Sequence, residues 1–166
     1  MLKEKIKQDL EAAVKEKKTE QASVLRMLSA AILNKEKEKR FKLFQEDPDL
    51  DEKEINQKSQ LDEKEVIGVI SSEVKKRKEA AAGFEKGERK EMAEKEKREL
   101  EILSKYLPEQ MSDQEIIQMA QKVINELGAK EMKDMGQVIK EMMARVAGKA
   151  EGGRVSQIVK KLLSND

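Results

Sequence analysis

The chain is 166 residues long, 42% of them charged and 2% aromatic, with a net charge of +1. That length holds one domain or two small ones, with any core built from Leu, Ile, Val, Met and Ala. It contains no cysteine and no histidine, which excludes disulfides, thiol nucleophiles and thiolate metal sites and removes the commonest general base and metal ligand.

The longest apolar run, residues 30–33, is too short for a signal-peptide core or a membrane span. Met1-Leu2-Lys3-Glu4-Lys5 mixes acid with base, unlike an organelle-import leader, so a cytoplasmic protein is expected. No membrane association, metal or cofactor is expected either.

Leu2, Ile6, Leu10, Ala13 and Val14 fall on one stripe and predict an amphipathic helix over 2–16. Thr19 is the predicted N-cap of a second helix with the stripe Leu25, Leu28, Ala31 and Ile32. The solvated run Lys35-Glu36-Lys37-Glu38-Lys39-Arg40 follows, and Phe41 and Phe44 are expected to close that helix against a neighbour. Residues 46–60 are acidic and interrupted by Pro48, which reads as a mobile linker or loop. A third helix begins near Leu61, and Ile67, Ile70, Val74, Ala81 and Phe84 give it a nearly heptad seam for antiparallel packing.

Gly87 marks a turn. A fourth helix then runs from about 89 to 106 with a thin face of Met92, Leu100, Leu103 and Leu107. Pairs at i, i+4 (Glu91 with Lys95, Glu94 with Arg98, Glu101 with Lys105) each add only about 0.2–0.5 kcal/mol. Pro108 ends this helix, and Ser112-Asp113-Gln114-Glu115 is a capping box for the next. Ile116, Ile117, Ala120, Val123, Ile124 and Leu127 form its stripe, with Gly128 as C-cap. Asp134 opens a helix carrying Met135, Val138, Ile139, Met142 and Met143. Glu151 or Gly152 begins the last helix, whose stripe is Val155, Ile158, Val159, Leu162 and Leu163. The expected fold is all-α: a four-helix N-terminal domain over 1–107 and a C-terminal three-helix bundle over 108–166.

Residues 1–107 carry 26 bases and 25 acids, and residues 108–166 carry nine of each. Nucleic-acid binding would therefore need local segregation of charge. Lys75-Lys76-Arg77-Lys78 is the densest basic run, but four consecutive helical residues point all round the axis, so it reads as an RNA site or as a solvated face. The C-terminal set Lys140, Arg145, Lys149, Arg154, Lys160 and Lys161 flanks the last turn and continues down the final helix. With Gly152 and Gly153 at that helix start, these residues are the RNA-binding candidates. The alternative is that the glycines permit a tight turn and the bases confer solubility. Aromatic platforms for stacking bases are absent, so contacts would go to backbone and shape. Met132, Met135, Met142 and Met143 form either an adaptable partner groove or core filling. Glu99 and Glu101 point to different helix faces, and no residue is assigned a catalytic role.

Several blocks carry a family resemblance. They are Val24-Leu25-Arg26-Met27-Leu28, Val74-Lys75-Lys76-Arg77-Lys78-Glu79, the stretch 99–112, Met132-Lys133-Asp134-Met135-Gly136-Gln137-Val138, and Gly148-Lys149-Ala150-Glu151-Gly152 with Val155-Ser156. In order and spacing they resemble the YqeY-like family. That family is related to the helical C-terminal tail of the B subunit (GatB) of the glutamine-dependent aspartyl/glutamyl-tRNA amidotransferase. Ala144 stands where many relatives have proline, and Glu151 where Asp is usual. Nothing is carried over between Arg40 and Leu61, where the chain is longer than is typical.

The resemblance implies an all-helical GatB/YqeY-like module that binds tRNA or takes part in tRNA metabolism. It also leaves open a protein-interaction adaptor for a synthetase or amidotransferase. The carbon–nitrogen ligase activity with glutamine as amido-N-donor belongs, by the same resemblance, to a catalytic domain that this sequence does not contain. The residues supply no nucleotide loop and no Ser–Lys amidase signature, so catalysis by this chain alone is not expected.

Overall fold

The computed structural model describes residues 1–164. It divides into two compact units, Met1–Tyr106 and Leu107–Asp166, and is all-α, with no strand among the described residues. The first unit carries α1 (Leu2–Lys15), α2 (Thr19–Glu46), α3 (Glu52–Lys58), α4 (Glu63–Lys86) and α5 (Lys90–Ser104). The second carries α6 (Asp113–Leu127), a 3₁₀ turn (Met132–Asp134), α7 (Met135–Val146) and α8 (Gly152–Ser164).

In the first unit α1 lies on α2, and α4 and α5 form an antiparallel hairpin packed against α2. Ile6, Leu25, Leu28, Ile70 and Leu103 are its largest fully buried side chains. Ala81 and Ala93, both buried, let α4 and α5 approach closely beside their turn. The Tyr106 hydroxyl donates to the Asp9 carboxylate at 2.7 Å, fastening the end of α5 to α1. Burial and that neighbouring charge push the phenol well above its ordinary pKa.

Four expectations are corrected here. Residues 46–60 contain α3, so this unit has five helices where four are predicted. The Asp51 carboxylate caps α3 by accepting from the Glu54 amide at 2.7 Å, and Ile55 is buried. A short helix with one apolar anchor leaves little periodicity to detect. Thr19 is already inside α2, with Lys18 at the cap position and no side-chain cap. Phe41 and Phe44 are 62% and 54% exposed, with no neighbour among the described residues closing over them. Val66 rather than Ile67 is the fully buried first-turn residue of α4, which follows from the capping box of Asp62 and Glu65 starting that helix.

The turn after α4 forms at Gly87 as expected. Its left-handed residue, however, is Glu88 (φ +59), while Gly87 sits at φ −86. The three predicted i, i+4 pairs on α5 do not form among the described residues. Glu94 turns to Lys97 at 2.9 Å, and Lys97 reaches Glu85 across the turn at 2.8 Å. Arg98 reaches Glu20 of α2 at 3.0 Å. Lys95 approaches Glu99 on its own helix at 3.8 Å, so of the side chains in those pairs Arg98 is the one drawn to another helix among the described residues.

One acid of α5 is buried. Glu99 is 6% exposed and lies 2.8 Å from the Arg77 guanidinium of α4. Glu96 approaches the same group at 3.5 Å, and Arg77 Nη2 donates to the Met27 sulfur at 3.7 Å. Replacing one member of such a pair leaves an uncompensated charge in the seam. Glu99→Ala is expected to cost about 3 kcal/mol in denaturant unfolding, while Arg77→Met/Glu99→Leu recovers most of that loss.

The second unit surrounds one apolar cluster: Ile116, Ala120 and Val123 of α6, Val138, Met142 and Val146 of α7, and Val155 and Val159 of α8. Its ends are closely specified. Ser112 and Glu115 form the expected reciprocal cap on α6, with the Ser112 amide donating to the carboxylate at 2.7 Å. Gly128 ends α6 at φ +62, a conformation that glycine adopts without penalty. The Asp134 carboxylate accepts from the amides of Lys130 (3.0 Å) and Glu131 (3.1 Å), ordering the turn before α7. The methionines divide: Met142 is fully buried and Met135 packs on the cluster, whereas Met132 and Met143 are 44% and 38% exposed. A unit of this size has little stability to spare. Met142→Ala is expected to cost about 2–5 kcal/mol and to lower the melting temperature of this unit before that of the first, as followed by hydrogen exchange.

Candidate nucleic-acid interface

The loop between α7 and α8 is built by its backbone. Ala147 and Gly148 take left-handed conformations (φ +46 and +84). The Lys149 carbonyl then accepts from the Met111 amide at 2.7 Å, and the Gly148 carbonyl accepts from the Gln110 side chain at 3.0 Å. These bonds place Lys149 beside the segment that leads into α6. Gly152 lies against the Met143 side chain at 3.5 Å from where a Cβ would stand, while Gly153 faces open space.

The eight candidate residues fall into separate groups. Arg154 binds the Asp113 carboxylate in the first turn of α6. That guanidinium, and more weakly Lys161, holds Asp113 below its ordinary pKa, and Arg154 is raised in turn. Lys149 adds positive potential at Glu115, whose pKa is lowered chiefly by the Ser112 hydroxyl and amide. Arg145 lies elsewhere, bound to Glu126 at 2.6 Å and Glu141 at 2.8 Å. Asp113 and Glu126 stand near opposite ends of α6, about 20 Å apart along its axis. The arginines therefore spend their charge on acids of their own unit. Lys140, Lys149 and Lys160 are exposed and make no ion pair among the described residues.

Sequence reasoning missed the partners Asp113 and Glu126. The capping box marks Asp113 only as a first-turn acid, and no local spacing links Glu126 to Arg145. The basic run on α4 is likewise taken up: Arg77 by Glu99, Lys76 by Glu73 at 2.6 Å and Lys75 by Glu79 at 3.8 Å. A groove of about 900 Å³ between α2 and α4 of the first unit is lined by Ala30, Ala31 and Val69. Its rim is self-neutralised by Lys35 with Glu38 (2.7 Å) and Lys39 with Glu65 (2.7 Å). Among the described residues no cluster of three acids could hold a metal ion, and no helix is long and apolar enough to cross a membrane.

Fold and site together define an all-α protein of two helical units. The chain belongs to the YqeY-like family: residues 47–163 match the family described as Yqey-like protein. The block at Val24-Leu25-Arg26-Met27-Leu28 lies before the matched stretch. No curated protein matches the chain at a significant level.

The lowered carboxylates set a pH dependence. A group whose folded pKa is depressed stabilises the fold above its unfolded value and loses that contribution as pH falls through the folded value. Asp113, Glu115, Glu126 and Asp134 all carry this sign. The second unit is therefore expected to weaken on acidification below the usual carboxylate range. In Arg154→Gln the Asp113 titration, followed by carboxyl carbon NMR, is expected to move up toward its ordinary midpoint while that of Glu126 stays in place.

Proposed function

We propose that this protein is a noncatalytic tRNA-binding or tRNA-metabolism-associated module, similar in role to the tail of the amidotransferase B subunit. The observation that carries this reading is the set of exposed, unpaired lysines Lys140, Lys149 and Lys160 on the second unit, the unit that lies mostly within the family match. Each lysine brought to a phosphate releases condensed counterions, so affinity falls steeply with salt. Arg145 and Arg154 play a structural part, holding α7 and α8 to the two ends of α6. With few aromatics available, contacts go to the sugar–phosphate backbone and to shape.

The test is a salt titration of binding to total tRNA, using protein freed of copurified RNA. The variant Lys149→Gln/Lys160→Gln/Lys161→Gln is expected to bind more weakly and to flatten the log–log salt slope by up to about 0.9 for each phosphate that is no longer neutralised. Wild-type protein that fails to bind tRNA even at low salt would end this reading.

A second reading, an adaptor for a tRNA synthetase or amidotransferase, draws on the exposed apolar side chains Leu127, Met132 and Met143. It requires a complex with purified amidotransferase or synthetase that survives nuclease and is abolished in Leu127→Ser/Met132→Ser. Amide transfer from glutamine needs catalytic residues supplied by such a partner. The isolated chain is expected to release no ammonia from glutamine.

A further inference from the structure

Helix α8 holds no acid in its 13 residues, whereas each of the other helices among the described residues contains at least one Asp or Glu. In a chain with 34 acids, it is the helix that presents no side chain of a phosphate's sign. Its buried stripe is Val155, Val159 and Leu163. The residues it leaves exposed are Gly153, Arg154, Gln157, Lys160, Lys161 and Ser164, so its outward face is basic or neutral throughout. Arg154 and Lys161 stand two turns apart, about 10 Å along the axis, with Gln157 between them.

The acids that act on this face come from its surroundings, and they gather at its first turn. The Arg154 guanidinium donates to the Asp113 carboxylate of α6, and Glu151, just before the helix, adds negative potential there. Lys161 interacts with Asp113 more weakly, and Lys160 makes no ion pair among the described residues. The acids of the other elements packed on α8 are engaged elsewhere. Glu141 of α7 is bound to Arg145, and Asp134 of the 3₁₀ turn accepts from two backbone amides. Arg154 and Asp113 are both more than half exposed, so their pair is weak and a phosphate can take the carboxylate's place on the guanidinium.

Residues 107–166 include no Phe, Tyr or Trp, so this unit has no ring on which an unpaired base could stack. A paired RNA stem turns its bases inward and holds its phosphates in a fixed array, which a rigid basic face can meet by charge and shape alone. Resting on the tRNA reading above, we propose that the outward face of α8 is the surface that meets RNA, that its ligand is a paired stem, and that Asp113 limits the affinity by occupying Arg154. Binding then exchanges one anionic partner of Arg154 for another, and the arginine adds little while Asp113 is present. Removing that carboxylate releases a fork-shaped donor to the RNA.

The test measures binding of the full chain, freed of copurified RNA, to total tRNA, to an RNA duplex of about 16 base pairs of unrelated sequence, and to one strand of that duplex alone. Wild type is expected to bind the duplex more tightly than the single strand. Asp113→Asn is expected to tighten duplex binding about threefold and to steepen the log–log salt slope by up to about 0.9, and Arg154→Gln in that background to cancel the gain. Gln157→Glu sets an acid in the middle of the face and is expected to weaken binding about threefold. Gln118→Glu, the same change of charge at an exposed position of α6, is expected to leave it unaltered. Circular dichroism checks that each variant is folded. Wild type that binds no tRNA ends the tRNA reading and this inference with it. If wild type binds tRNA, three results overturn this inference alone: equal affinities for Gln157→Glu and Gln118→Glu, no gain in Asp113→Asn, or a preference for the single strand. Tighter binding to polyglutamate than to the duplex, lost in Gln157→Glu, assigns the face to an acidic protein and overturns it as well.

Discussion

The ion pair between Arg77 and Glu99 sits in the seam of α4 and α5, where an apolar pair would serve in a less polar chain. Its presence reflects the central constraint on this molecule. With so many charged residues and so few aromatics, the apolar stripe on each helix is narrow, and charged residues must stand at its edge or inside it. Burying such a residue is tolerable only when an opposite charge is fixed within reach. The α4–α5 hairpin meets that demand with one guanidinium set against two carboxylates, Glu96 and Glu99. Small Ala81 and Ala93 meanwhile bring the backbones close enough for the pair to form. The hairpin in turn gives α2 the surface on which it buries Leu25 and Leu28.

The same rule governs the second unit on a smaller scale. Arg145 and Arg154 bind acids near the two ends of α6, so α7 and α8 are fixed to it both by the apolar cluster and by charge. Each exposed pair is individually weak. Their structural consequence lies in which positive charges they remove from the surface. Lysines, with long flexible stems and strongly hydrated heads, are left facing solvent, while the planar, multidentate guanidinium groups are used internally. A basic residue in the sequence is therefore a poor guide to a basic surface in the fold.

That distinction explains what the sequence made legible. Helices α1, α2, α4, α5, α6, α7 and α8 are readable because their stripes are periodic, and the ends of α6 are legible as well, with the Ser112 box and Gly128 in the expected places. Positions that depend on a partner distant in sequence were not readable. Glu99 looks like one more solvated glutamate until Arg77 is placed against it. Asp113 and Glu126 gain their roles only when α7 and α8 fold back onto α6. Helix α3 escaped notice because one buried isoleucine and one aspartate cap give no period to measure. The candidate interface was legible as a set of residues but not as a geometry. The set joins residues that the fold separates by the length of a helix, and it gives the same weight to arginines already neutralised and lysines still free.

Unpaired charge is consequently the informative quantity in a protein of this composition. Where many acids have a base within reach, net charge says little about binding, since +1 is compatible with strongly polar local fields. What remains after internal pairing is unevenly placed. On the second unit it is chiefly positive and includes Lys140, Lys149 and Lys160. A polyanion satisfies this pattern, because it can meet a set of like charges without presenting any of its own sign.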